Sequence, residues 1–131
     1  MITESKFFDK IKLDLIDHEE LQIIVEGRTV PSSPTLIFLP EISWLTKENM
    51  QVVLAFTSQR IIVYKIHLNQ SLSLALDINK SAIKSVTESS GPLNGGIKLT
   101  LDTKKSYKFI FKKERVKKIK HFLSEQYGLN F

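Results

Sequence analysis

The segment Val52-Val53-Leu54-Ala55-Phe56-Thr57-Ser58-Gln59-Arg60-Ile61-Ile62-Val63-Tyr64 constrains the fold of this chain most. Two apolar runs, rich in β-branched and aromatic residues, flank a short polar turn that ends in an arginine. This pattern predicts a buried β-hairpin over about 51–57 and 60–66. More short alternating stretches follow, and then one basic, amphipathic C-terminal stretch. The order implies a small β-module closed by a helix, an architecture that serves binding more often than catalysis.

Leu21–Gly27 reads as a first strand, and the prolines and serines of Val30–Pro34 as a turn. Thr35–Leu39 reads as a second strand, stopped by Pro40, and 41–50, with Trp44, as a loop. Leu72, Leu74, Leu76 and Ile78 alternate on one face of a further strand, and Ala82–Thr87 forms another. Ser89–Gly96 reads as a turn that includes the Gly95-Gly96 pair. Ile97, Leu99 and Leu101 share one face, as do Tyr107, Phe109 and Phe111. Opposite residues of an antiparallel pair point to the same side, so Leu99 facing Tyr107 or Phe109 requires an odd loop. A three-residue connection within Asp102–Lys105 is expected, with Lys98, Thr100, Lys108 and Ile110 outward and Lys112 near the end of that face.

Two helices frame the strands. Phe7, Phe8, Ile11 and Leu15 recur at helical spacing within 4–16, and Thr3 is placed to cap that helix. At the other end, Val116, Ile119, Leu123 and Tyr127, with Phe122 beside them, form an apolar stripe over about 113–127. Gly128 follows as a C-terminal cap with Leu129 as its apolar contact.

At 131 residues, 42% of them hydrophobic and 25% charged, the chain has the composition of a single folded domain. It has no cysteine, which excludes thiol catalysis, disulfides and cysteine-ligated metal, and accords with a reducing cytoplasm. No signal-like N-terminus and no apolar run of membrane-spanning length is present, so a cytoplasmic protein, at most peripheral at a membrane, is expected. The net charge of +5 is localised: residues 1–97 sum to −2, residues 98–121 to +8 and residues 122–131 to −1. Such a segment attracts phosphates, anionic lipids or acidic proteins, or simply forms a solvated face.

The stretch Leu54-Ala-Phe-Thr-Ser-Gln-Arg-Ile-Ile-Val63 resembles the central hairpin of bacterial pleckstrin-homology-like and GRAM-type domains. There, an apolar strand leads through a Thr-x-x-Arg turn into a second. Ile78-Asn-Lys-Ser-Ala-Ile-Lys-Ser-Val86 resembles the entry to their fifth strand. The resemblance spans Leu21 to Tyr127 and implies a mainly β (α+β) fold. About seven antiparallel strands would form a barrel of two nearly orthogonal sheets, capped by the C-terminal helix. Residues 1–17 would be an added helical extension and 18–131 the domain itself. In eukaryotic relatives the lipid site lies mainly on the loop between the first two strands. Here that loop, Gly27–Pro34, has Arg28 as its only basic residue.

Catalytic, metal and cofactor sites find no support. His18-Glu19-Glu20 lacks a helical zinc partner, His67 and His121 lie far from it, and no nucleophile elbow or phosphate loop is present. The carboxylate pairs Asp14/Asp17 and Glu19/Glu20 read as solvated charges. Arg60 has two readings, an anion ligand or, the preferred one, a structural fork that fixes its turn. The expectation is a non-enzymatic binding or adaptor module for a protein partner, with self-association through sheet edges as a variant. The candidate anionic-partner surface is Lys104, Lys105, Lys112, Lys113, Lys117 and Lys118. An anionic membrane is the first alternative and nucleic acid the second; no small-molecule substrate is expected. Phe7, Phe8 and Trp44 are contact candidates against a core reading.

Overall fold

The predicted hairpin forms at its predicted limits. In the computed structural model, which describes residues 2–30, 51–69 and 71–130, β2 (Gln51–Thr57) and β3 (Arg60–Ile66) pair antiparallel across Ser58-Gln59. Their apolar runs are continuous because both faces are covered. Val52, Leu54, Phe56, Ile61 and Val63 point into one core, and Val53, Ala55, Ile62 and Tyr64 into another. Strands buried on both sides lose the polar alternation of a half-exposed sheet.

Around this hairpin run β1 (Leu21–Val30), β4 (Leu72–Asn79), β5 (Ile83–Ser90), β6 (Asn94–Leu101) and β7 (Ser106–Lys112). Among the described residues they form one antiparallel sheet in the order β4-β3-β2-β1-β7-β6-β5. The expected pair of sheets closing a barrel is therefore corrected: the ladder is continuous through β1 and β7 and open between β4 and β5. A 3₁₀ turn, Lys80–Ala82, links those two edge strands without pairing them. The helix α2 (Lys113–Tyr127) packs over the inner face of the sheet. Its Val116, Ile119, Phe122 and Leu123 are buried with inner residues of both halves, as the apolar stripe predicts. Each such side chain contributes about 1.5–3 kcal/mol. Gly128 ends α2 in the left-handed conformation, and the Leu129 N–H reaches the Leu123 carbonyl at 3.1 Å.

The second core lies on the outer face of the β1–β3 region, under α1 (Ile2–Lys12). Phe7 and Ile11 are buried there, whereas Phe8 is 42% exposed, so the apolar stripe of α1 is narrower than its spacing suggests. The helix begins before Thr3 and ends at Lys12, so Thr3 lies within it rather than capping it. The expected strand Thr35–Leu39, the turn at 31–34 and Trp44 lie outside the described residues.

β-Bulges account for the other departures. Val63 pairs with Leu76 but Tyr64 with Leu74, leaving Ala75 as an extra residue. The extra residue shifts the alternation. Leu76 packs on the inner core, Leu72 on the outer one, and Leu74 stays 58% exposed instead of sharing one face with them. A similar bulge at Lys84 interrupts β5, so both edge strands are blunted against further pairing. Gly95 and Gly96 lie within β6, not in a turn. A Cβ on Gly95 would meet Val116 Cγ2 at 2.9 Å, so the residue lets α2 approach the sheet. The connection is the expected three-residue one, Asp102 to Lys104 between Leu101 and Lys105. Leu99 pairs with Tyr107, the Leu101 N–H bonds the Lys105 carbonyl, and Lys104 takes φ 73°.

Candidate binding surface

Arg60 is held as a structural fork. Its Nε donates to Glu19 Oε2 at 2.9 Å, Nη2 to Glu19 Oε1 at 3.1 Å and to the Asp14 carbonyl at 2.9 Å, and Nη1 to Asp77 Oδ2 at 2.7 Å. Thr57, at the other end of the turn, donates its hydroxyl to Glu19 Oε2 at 2.6 Å and accepts the Arg60 N–H at 3.0 Å. The Tyr127 hydroxyl donates to the Thr57 carbonyl at 2.8 Å. The Thr-x-x-Arg turn thus ties the segment after α1 to the end of α2. Four of the five guanidinium N–H groups of Arg60 are thus engaged within the protein.

The carboxylates of that segment are therefore not simply solvated. The Glu19 side chain is 0% exposed and that of Arg60 16%. Burial pushes the Glu19 carboxyl up, but hydrogen bonds from Arg60, Thr57 and the Ile16 N–H, with the charge of Arg60, hold it below the ordinary glutamate value. The bond to Glu19 in turn raises Arg60. Asp14 accepts the Tyr64 hydroxyl at 2.9 Å; burial first, and then this bond, push the Tyr64 phenol upward. Burial and the nearby Glu19 charge do the same to Tyr127. Asp17 and Glu20 remain exposed.

The six candidate lysines fall into two groups. Lys104 and Lys105 occupy the turn before β7, and Lys112, Lys113, Lys117 and Lys118 its far end and the first turns of α2. The length of β7, about 20 Å at roughly 3.3 Å per residue, separates them. Lys112, Lys113, Lys117 and Lys118 are exposed, and none is ion-paired among the described residues. Lys120, by contrast, is bound to Glu88 at 2.8 Å.

The structure adds cations that the linear lysine run does not reveal. A cleft of about 480 Å³ opens where β1, β7 and the start of α2 meet, lined by Arg28, Lys112 and Arg115 together with Glu26. Arg28 lies in β1, not in a loop. Arg115 Nη1 donates to the Glu26 carbonyl at 3.0 Å, which fixes the helix against β1. Gly27 permits this corner: a Cβ there would meet the Phe111 ring at 2.6 Å and the Ile110 carbonyl at 2.8 Å. The sequence signal for Arg115 was its place in the first turn of a helix that begins at the end of β7.

Among the described residues, no group of three or more His, Cys, Asp or Glu is placed to hold a metal ion, and no helix is long and apolar enough to cross a membrane. His67 Nε2 lies 2.8 Å from Ser73 Oγ, and His121 is exposed on α2.

No protein-family model matches the chain, and no curated protein matches it. Solved structures do. A DUF1696 family protein with a pleckstrin-homology domain from Shewanella loihica superposes with TM-score 0.58 at 14% identity, covering 94% of this chain and 95% of that one. The C-terminal domain of an unknown protein from Leishmania infantum gives 0.56 at 12%, covering 94% and 92%. The hSac2 domain of the human phosphoinositide phosphatase Sac2 gives 0.59 at 12%, covering 92% and 77%. At these identities the likeness concerns architecture, and with the sheet order and the capping helix it establishes that this chain has a pleckstrin-homology-like fold.

Proposed function

We propose that this protein is a non-enzymatic adaptor that engages an acidic protein partner through the cations at the junction of β7 and α2. The observation that carries this reading is the cleft lined by Arg28, Lys112 and Arg115, continued along α2 by the exposed Lys113, Lys117 and Lys118. Clustered like charges cost stability and steer opposite charges toward them. Both sheet edges are blunted by bulges, which favours a surface partner over self-association by edge pairing. The absence of cysteine accords with a cytoplasmic setting. The test is binding of a fluorescein-labelled oligoglutamate peptide, followed by anisotropy. Lys112→Glu/Lys117→Glu/Lys118→Glu should weaken binding about tenfold or more, and added salt should weaken it in the parent. Unchanged affinity in the triple variant would refute this placement.

One observation favours an anionic membrane as a second reading. Pro92 and Leu93 are exposed at the β5–β6 turn, Leu93 at 79%, and the Leu93 carbonyl accepts the Lys113 N–H at 3.3 Å. An apolar tip beside lysines suits headgroup and acyl contact together. Co-sedimentation with phosphatidylserine vesicles, against phosphatidylcholine, tests it; equal recovery with both lipids excludes it.

A further inference from the structure

The outer face of the sheet changes character along its length. Where α1 covers it, it is apolar; beyond α1, over β5–β7, the described outward residues are polar or cationic apart from Ile110. On that face Lys98 and Lys108 stand directly opposite one another in the β6–β7 register. Like charges in that position repel. Neither lysine has an ion-pair partner among the described residues. Hydroxyls surround them: Thr87 pairs with Lys98, Ser85 with Thr100, and Ser89 with Gly96. The missing side chain at Gly96 leaves a depression, with Ser89 Oγ and Lys108 Cε within 2.6 and 3.1 Å of the place a Cβ would take.

Further cations continue the track at a regular interval. Ile110 pairs with Gly96 on one side and Arg28 on the other, and Lys112 pairs with Asn94. Positive charge therefore occurs at the levels of residues 108, 110 and 112 of β7. Those levels are about 6.6 Å apart, two residues of extended chain. The depression at Gly96 and the cleft at Arg115 both border Asn94 and Ile110, so the track is continuous. The carboxylate at its far end is Glu26, which forms no ion pair with Lys112 or Arg28.

We infer that this outer face receives an extended segment of the acidic partner with carboxylates at every second residue, lying along β7. The inference rests on the acidic-protein reading above and deepens it, extending the contact from the junction of β7 and α2 along the sheet. The alternating side chains of an extended peptide repeat at the interval of the cation levels. The described residues of this face present no exposed aromatic for base stacking, which disfavours a single-stranded nucleic acid.

The test compares two labelled peptides of equal charge, one with three glutamates alternating with serines, the other with the three glutamates contiguous. Anisotropy should show the alternating peptide binding about three- to fivefold tighter, the gain when one or two exposed ion pairs come into register. Lys98→Thr/Lys108→Thr removes the repulsion and retains β-propensity, so it should melt no lower than the parent yet lose the preference. Equal binding of the two peptides by the parent overturns the spacing inference and leaves the acidic-partner reading standing. Failure of both peptides to bind overturns that reading as well. Tighter binding of oligothymidylate or of phosphatidylserine vesicles than of either peptide overturns the choice of occupant.

Discussion

Glu19→Gln is the sharpest probe of what holds the ends of the chain to the hairpin. The two Glu19 oxygens face donors on every side. Oε1 accepts from Arg60 Nη2 and the Ile16 N–H, and Oε2 from Arg60 Nε and the Thr57 hydroxyl. An amide supplies one oxygen and one NH₂, so either orientation of glutamine sets its nitrogen against an Arg60 N–H, joined in one of them by the Ile16 N–H. Among the described residues, the substitution also leaves Arg60 with only Asp77, 54% exposed, as a charged partner. Breaking a buried, hydrogen-bonded ion pair costs about 3 kcal/mol, or roughly 10 °C in Tm for a domain of this size. The pH dependence follows from the direction of the shift. The folded Glu19 carboxyl lies below its ordinary value of 4.5, so its stabilisation is complete above that value and is lost as pH falls through the folded value. Urea unfolding of parent and variant should therefore give a constant difference near neutral pH that shrinks in acid below 4.5. A difference under about 1 kcal/mol at neutral pH, or one that does not shrink in acid, would refute the lock.

Three further substitutions probe the frame that carries the surface. Leu123→Ala removes a fully buried side chain of α2 and should cost about 2–5 kcal/mol in denaturant unfolding; a loss below about 1 kcal/mol would mean that α2 does not plug the sheet. Gly27→Ala forces a methyl group toward the Ile110 carbonyl and the Phe111 ring at the β1–β7 corner. It should cost about 1–3 kcal/mol and broaden the amide resonances of residues near 110. Lys104→Gly relieves a left-handed residue at φ 73° and should raise stability by about 0.5–1 kcal/mol, with lower stability counting against the turn geometry.

Local pattern was enough wherever neighbours in sequence are also neighbours in space. The central hairpin, the β6–β7 register and the buried stripe of α2 follow from alternation at two residues or recurrence at three and four. The readings that failed depended on partners distant in sequence. Glu19 looked like one of several solvated acids because Arg60 lies 41 residues away. Gly95-Gly96 looked like a turn because its reason, the approach of Val116 from α2, is a tertiary contact. The single face assigned to Leu72, Leu74, Leu76 and Ile78 failed at a bulge, and one inserted residue leaves no mark in an apolar pattern.

The charge shows the same division. Counting along the chain finds the excess at residues 98–121 but groups lysines that the sheet sets apart, since the turn at Lys104 and the start of α2 lie at opposite ends of β7. Strand alternation sorts these cations better than their sequence order does. It sends Lys98, Lys108 and Lys112 to the outer face, where the β1–β7 pairing brings Arg28 alongside from a distant part of the chain. A protein that needed only solubility could have spread these charges over its surface, with carboxylates between them. Instead, two lysines directly oppose one another on a face that α1 leaves uncovered, with no carboxylate paired to either among the described residues. Such a face gains stability from whatever anion settles on it, and through Lys112 it continues the cationic junction of β7 and α2.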